Sequence, residues 1–348
     1  MYKRIVVKIG TKVISENDRL IEDSVRALVE QVAALHERGV EIIVVTSGAV
    51  ATGKGLLKPE AEGAAAEQIF AAVGQVGLMA LYQKLFQKHG LTCAQILVTK
   101  GDFRDKEHYV NMKQCFENLL REHIVPVVNE NDAISIRKLV FTDNDELAGL
   151  IASQINADAV LFLSSVEGVM KSETVVPEIR EEDTRTFETH VRDTKSEGGR
   201  GGMLTKFAIA RRLMAHGISV HIANGAHPNV LQKIVAGEIV GTKFVPTKKA
   251  SAVKRRLAYS DGLAVGVVCV DEGAEKILLS KKFVSLLPVG IKRIEGNFKK
   301  GDTIEIRNEA DKKLGFGTAQ YDAGRARMLL GKKGGRALIH YNYLVITA

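Results

Sequence analysis

The chain has 348 residues, 45% hydrophobic and 26% charged. That composition excludes a single small module, a fibrous chain and a low-complexity chain, and it predicts about two domains. The net charge of +8 comes from 49 basic against 41 acidic residues. It is uneven: Lys243, Lys248, Lys249, Lys254, Arg255 and Arg256 lie between Ile239 and Ser260 with no acid among them. Such a stretch serves either as a solvated connector or as an attractor of phosphates and RNA. No apolar run is read as approaching the ~18 residues of a membrane span, and Met1 leads straight into the strand-like KRIVVKIG, so the chain is expected to be cytoplasmic with no membrane partner. Cys93, Cys115 and Cys269 are widely spaced and odd in number, suggesting buried thiols rather than a disulfide framework or a zinc site.

From Lys3 to about Gly237, β-branched runs alternate with amphipathic helices. The runs are RIVVKI, EIIVVT, CAQILVT, IVPVVN, AVLFLS and ISVHIA. After the first, Val25, Leu28, Val29, Val32 and Leu35 form one helical stripe, and Gly39 follows as the left-handed stop. Near-continuous apolar strands separated by helices imply a mostly parallel sheet covered on both faces. Beyond the basic stretch the texture changes to short strands with turns, in LAVGVVCV, TIEIRN and ALIHYNYLVIT, predicting a compact β-rich module. The boundaries read are 1–242 for the α/β domain, 243–262 for a basic linker and 263–348 for the β-rich domain.

In open parallel sheets ligands sit beyond the carboxyl ends of the strands. Here the strand ends carry Lys8-Ile9-Gly10-Thr11, Thr46-Ser47-Gly48-Ala49, Asn129-Glu130-Asn131-Asp132 and Ser164-Ser165. Asp143-Asn144-Asp145 opens a later helix. The glycine-rich run from Gly198 through Arg200, Gly201, Gly202, Met203, Leu204 and Thr205 to Lys206 opens another. Glycines let backbone N–H groups approach an anion, and a helix start and a lysine add positive charge, so this run reads either as a phosphate loop or as a surface loop. Lys8, near the end of a buried strand, must meet an anion or reach the surface, because desolvated charge needs a partner. The Asp and Asn cluster exceeds what helix capping requires and suggests groups that bind a substrate amine and orient the lysines. Gly48 to Lys54 has the spacing of a P-loop, but Gly55 replaces the hydroxyl residue that would ligate magnesium, and the dinucleotide fingerprint is absent from the first turn.

Taken together, VVKIGT, VVTSGAVATG, AAVGQ, IVPVVNENDA, TDNDELA and GGMLTK resemble the glutamate 5-kinase family of the amino acid kinase superfamily. In the tail VDEGA, SLLPVGI and GNFKKGD resemble its C-terminal PUA module. The resemblance runs along essentially the whole chain. It implies an amino acid kinase-like three-layer α/β sandwich with a mostly parallel sheet, followed by a small β-rich PUA domain. It also implies transfer of the ATP γ-phosphoryl group, with Mg²⁺, to the side-chain carboxylate of L-glutamate, the first step toward proline. Position by position, Lys8 and Lys206 would be catalytic, with Asp145 positioning both; Ser47, Asp132 and Asn144 would hold glutamate; and Lys8, Gly10, Ser164, Ser165 and Arg200 to Lys206 would hold ATP. No metal-ligand set is implied. Feedback inhibition by L-proline, a glutamyl phosphate reductase downstream and a homo-oligomer follow from the same resemblance. A glutamate carboxylate is ionised at neutral pH, so its attack needs no general base.

The chain departs from the family pattern on the nucleotide side. It reads Leu163-Ser164-Ser165 and Gly168-Val169-Met170-Lys171 where Leu-Thr-Asp, Gly-Leu-Tyr-Thr and Asp-Pro are usual, and it carries Arg200 and Leu204 in place of Thr and Ser. The expectation is an active kinase with a modified nucleotide pocket. The alternatives are an RNA-binding PUA protein whose kinase half is vestigial, and a kinase for another acidic acceptor such as an acetylated amino acid or carbamate. The tail's scattered aromatics form no stacking ladder for bases.

Overall fold

The computed structural model describes residues 2–134, 144–184, 186–187, 202–215, 217–246, 264–280, 284–332 and 334–347. The chain divides into two units, Met1–Lys100 with Met112–Lys249, and Gly101–Asn111 with Ala250–Ala348. The segment Gly101–Asn111 joins the second unit although it lies deep in the α/β part of the sequence, which the periodicity did not indicate.

The first unit is built on an eight-stranded sheet. Its strands are β1 (Arg4–Ile9), β2 (Glu41–Val45), β3 (Cys93–Val98), β4 (Val125–Glu130), β5 (Ala159–Ser164), β6 (Glu178–Ile179), β7 (Ser219–Asn224) and β8 (Thr242–Phe244), in the spatial order β6-β8-β7-β5-β1-β2-β4-β3. All pairings are parallel except β7 with β8. The sheet therefore runs past residue 242: Lys243 and Phe244, at the head of the expected linker, are strand residues paired with His221 and Val220. Most of that basic stretch, 247–263, lies outside the described residues.

The side-chain period of two decides what each face meets. Ile5, Val7 and Ile9 of β1, with Ile42, Val44, Val125, Val127, Leu161 and Leu163, share a core with helix α1 (Glu22–Glu37), helix α3 (Gly63–Gln87) and the short helix Val230–Ala236. Helix α2 (Ala49–Leu56) lies between α1 and α3 in sequence and packs on α3. The expected stripe of α1 is buried. The helix closes at Gly39, at φ +78°, with Gly39 N–H donating to the His36 carbonyl and Val40 N–H to that of Leu35. This pair of bonds satisfies the last orphan carbonyls of the helix, and the positive φ favours glycine there. Val6 and Lys8 point to the opposite face, onto which helices α4 (Asn144–Gln154) and α5 (Met203–Ala215) are drawn, with α4 packed directly on β1. Lys8 is thus buried by strand parity rather than by composition.

Helix α3 corrects one sequence expectation. By length and composition it could cross a membrane, its most apolar stretch having a mean hydropathy of 1.4. Glu67, Gln75 and Lys84 break the continuous apolar run without bringing the helix's average below that of a spanning segment. The stripe Leu78, Tyr82, Leu85 and Phe86 lies in the core of the sheet. At its other end α3 crosses α2 at the closest range backbones allow. A Cβ on Gly74 would stand 1.9 Å from the Ala49 carbonyl oxygen, and one on Gly53 2.1 Å from that of Phe70. Of the glycines in the apparent P-loop spacing, Gly53 serves this crossing. Gly48, at φ +104°, makes the turn from β2 into α2.

The second unit carries a five-stranded sheet of β9 (Gly266–Val270), β10 (Ile291–Gly296), β11 (Thr303–Arg307), β12 (Lys313–Ala319) and β13 (Ile339–Ile346), ordered β10-β9-β11-β12-β13. Only β9 with β11 is parallel. Val268, Val270, Ile304, Ile306, Phe298, Leu314 and Ile339 centre its core. Two helices, Glu272–Leu279 and Ala323–Leu329, start on Asp271 and Asp322, whose carboxylates accept the Ala274 and Arg325 N–H groups at 2.7 and 2.8 Å. An Asp in this position satisfies one of the unpaired amides of the first turn.

Candidate active site

Three charged side chains from three elements meet at the carboxyl ends of β1 and its neighbours. Lys8 Nζ lies 2.7 Å from Asp145 Oδ1, and Lys206 Nζ lies 2.8 Å from Asp145 Oδ2. Asp145, in the first turn of α4, is fully buried; Lys8 and Lys206 are 6% and 8% exposed. Burial by itself would raise the Asp145 carboxyl pKa, but the charges of Lys8 and Lys206, with their hydrogen bonds, hold it below the ordinary carboxylate value. The carboxylate therefore stays ionised and fixes both ammonium groups at once. The adjacent Glu146 accepts from Lys100 Nζ at 2.7 Å, so each of these two acids is committed to lysine.

Next to this clamp is a chain of amide side chains. Asn144 Nδ2 donates to the Thr46 carbonyl at 2.8 Å, and lies 3.1 Å from Ser47 Oγ and 3.0 Å from Asn129 Oδ1. The Glu130 N–H also donates to Asn129 Oδ1, and Asn129 Nδ2 donates to Gln75 Oε1 at 3.0 Å. Below them Thr46 Oγ1 and the Tyr82 hydroxyl are 2.8 Å apart. Ser47 and Asn144, read from sequence as substrate residues, are in direct contact. Asp132 is not in this network. It lines a cavity of ≈330 Å³ with Ala49, Ala71, Gln75, Glu130 and Asn131. Burial, and secondarily the charge of Glu67, push its carboxyl pKa up, so an approaching cation would be welcome there. Gln75 and Tyr82 were missed by sequence reasoning. Gln75 sits within the AAVGQ string but was given no role, and Tyr82 reads as one more core aromatic.

Among the residues expected from the sequence to hold ATP, the Gly10 N–H donates to the Leu163 carbonyl at 2.9 Å, tying the ends of β1 and β5. A Cβ at Gly10 would approach that carbonyl to 3.0 Å, so the lack of a side chain at Gly10 serves the close approach of the two strand ends. Ser164 ends β5 opposite Asn224 of β7, and Ser165 follows, exposed. Beyond them Glu167 accepts from Asn224 Nδ2 at 2.7 Å and bonds to His227 Nε2; these bonds hold the Glu167 carboxyl below its ordinary pKa. None of this trio was picked from the sequence. Gly202 precedes α5, its carbonyl accepting the Thr205 N–H at 3.1 Å. Met203 and Thr205 are half-buried and Leu204 is exposed on the first turn that carries Lys206. Arg200 and Gly201 lie outside the described residues, as does Asp143.

A parallel α/β sandwich with buried lysines converging on one carboxylate at its strand ends is the scaffold of a phosphotransferase. Residues 3–224 match the Amino acid kinase family and residues 266–338 the PUA domain. The chain belongs to the amino acid kinase family. Within it, the sequence is 48% identical to the glutamate 5-kinase of Chlorobaculum tepidum, over 100% of this chain and 98% of that protein. It is 42% identical to the glutamate 5-kinase of Bacteroides thetaiotaomicron, over 99% of each. Among solved structures, carbamate kinase from Giardia lamblia bound to AMP-PNP superposes with a TM-score of 0.53 at 12% identity, covering 70% of this chain and 99% of that one, a likeness of fold.

Proposed function

We propose that this chain is a glutamate 5-kinase, transferring the ATP γ-phosphoryl group to the side-chain carboxylate of L-glutamate to give L-glutamyl 5-phosphate, the first step toward proline, in the cytoplasm. The observation that carries this reading is the clamp of Lys8 and Lys206 on Asp145, supported by full-length similarity to glutamate 5-kinases. The acceptor carboxylate is already ionised at neutral pH, so no base has to be found for it. What remains is in-line placement and cancellation of charge on the phosphoryl oxygens. Lys8 reaches the nucleotide phosphates from the floor of the sheet. Lys206 meets the transferred group from the first turn of α5, whose positive end lies on the same side. Asp145 sets the spacing of both. Ser47, Asn144 and Asp132 hold glutamate, and Gly10, Ser164, Ser165 and the run Arg200–Lys206 hold the nucleotide. Mg²⁺ arrives with ATP as part of the substrate; among the described residues no group of three His, Cys, Asp or Glu could hold a metal ion. The acyl phosphate made here suits a reductase that acts on acyl phosphates. Proline as a feedback inhibitor and a homo-oligomeric assembly complete the proposal.

The test is to trap the acyl phosphate with hydroxylamine in the presence of MgATP. Hydroxamate should form with L-glutamate and not without it. Equal hydroxamate in both, or formation only with an alternative acid acceptor, would overturn the reading.

A further inference from the structure

The amide chain beside the clamp has a direction, and it is fixed by backbone atoms. Asn144 must turn Nδ2 toward the Thr46 carbonyl, because that group can only accept. Asn129 must then turn Oδ1 toward Asn144, and the Glu130 N–H, which can only donate, requires the same orientation. Nδ2 of Asn129 is left for Gln75, so the Gln75 carboxamide presents Oε1 to it and its Nε2 away from it. That Nε2 is buried and has no hydrogen-bond partner among the described residues, and Gln75 as a whole is 8% exposed. Swapping the oxygen and nitrogen of Gln75 does not help, since two donors would then face each other. Buried donors are rarely left unmet in folded chains, and an exception next to a cavity calls for a partner there, a water or a ligand group.

The cavity lined by Gln75 is where that partner would enter. Its other polar walls are Gln95, Glu130, Asn131 and Asp132, two of them carboxylates, so Gln75 places an amide donor in the same cavity as two acids. A ligand with a cationic and an anionic group on the same carbon fits this division. Resting on the function proposed above, we infer that Gln75 is a specificity-determining residue whose Nε2 donates to the α-carboxylate of the acceptor amino acid, while the acids beside it take the α-ammonium. Gln75 is held for this by the close crossing of α2 and α3, since its neighbour Gly74 lies against the Ala49 backbone. The Asn129 and Asn144 side chains link it to the helix turn that bears Asp145. The end of the substrate that is not phosphorylated is thereby placed in fixed relation to the lysine clamp.

The experiment uses the full chain, with L-glutamate and with 4-aminobutyrate, which keeps the reacting carboxylate and the amine but lacks the α-carboxylate. Gln75→Glu keeps an acceptor for Asn129 and loses the donor; Gln75→Met loses both at similar length. Each variant should raise the KM or Kd for glutamate at least 10-fold, with kcat within about 3-fold and the MgATP KM unchanged. Binding of 4-aminobutyrate should change less than 2-fold, a selectivity that a merely structural role would not produce. Equal losses with both ligands, a fall in kcat alone, or no change with glutamate would each overturn the assignment. If Gln75→Met does not fold, the Gln75→Glu result decides. Wild-type turnover of glutamate separates the two levels: if the unaltered chain forms no glutamate-dependent hydroxamate, the functional reading falls and this inference with it, whereas normal wild-type turnover with indifferent variants sinks only the role of Gln75.

Discussion

Asp145→Asn tests the clamp most directly, because it removes the anion between two buried cations and leaves the shape almost unchanged. At an effective dielectric constant of ~20, each ammonium–carboxylate contact is worth roughly 6 kcal/mol in gross attraction at the observed 2.7 and 2.8 Å. Most of this offsets the cost of taking the three charges out of water. Breaking such a pair leaves uncompensated charge, so the expected net loss is about 3–5 kcal/mol, and the lysines additionally repel each other. The pH dependence has a definite sign. The folded-state pKa of Asp145 is depressed by Lys8 and Lys206, so its stabilisation is full above the unfolded carboxylate value of about 4 and is lost as the pH falls through the lower folded value. The assay is urea unfolding of both chains in a series from pH 7 downward. The gap between them should be several kcal/mol at pH 7 and should shrink in acid. A gap under about 1 kcal/mol at pH 7, or one that persists unchanged once Asp145 is protonated, would refute the reasoning.

Lys206→Ala should lower kcat by about 10²-fold or more and change the glutamate KM much less, as for a group that stabilises charge formed in the transition state; steady-state kinetics with saturating MgATP checks this. Asp132→Ala should do the reverse, raising the glutamate KM about 10-fold at nearly constant kcat, and a pure kcat effect would reassign it. Gly74→Ala forces a methyl group to within 1.9 Å of a backbone carbonyl, so it should destabilise by at least ~1–3 kcal/mol and weaken glutamate binding through the displaced Gln75. Thermal unfolding and a glutamate titration of the same sample would show both effects.

The parts of the molecule governed by local periodicity were open to sequence reasoning. The six long strands of the first sheet and the stripe of α1 follow from residue spacing, and Lys8 could be flagged because a lysine inside an apolar strand must face something. The partner of Lys8 could not be derived that way. That Lys8 and Lys206 close on the same carboxylate depends on which helix covers which face of the sheet, and only family resemblance suggested it. Gln75 was illegible for a different reason: its significance comes from the direction of a hydrogen-bond chain that begins at a backbone carbonyl far away in sequence. Gly53 reads as part of a failed phosphate loop, and Gly74 carries no reading beyond its place in the AAVGQ string, because a helix crossing is a relation between two segments. The assignment of Gly101–Asn111 to the second unit was hidden for the same reason, since nothing in its own composition marks it.

On the function proposed above, the lysine clamp also makes catalytic competence a late event in folding. Its members come from the first strand, from the middle of the first unit and from one of its last helices, so no fragment of the chain and no partly assembled sheet can hold the three together. A nascent or locally opened molecule would lack the paired cations altogether and could not squander ATP. Recovery of turnover after dilution from denaturant should accordingly lag behind recovery of helical signal, and the lag would measure how long the sheet waits for the helix bearing Lys206 to dock.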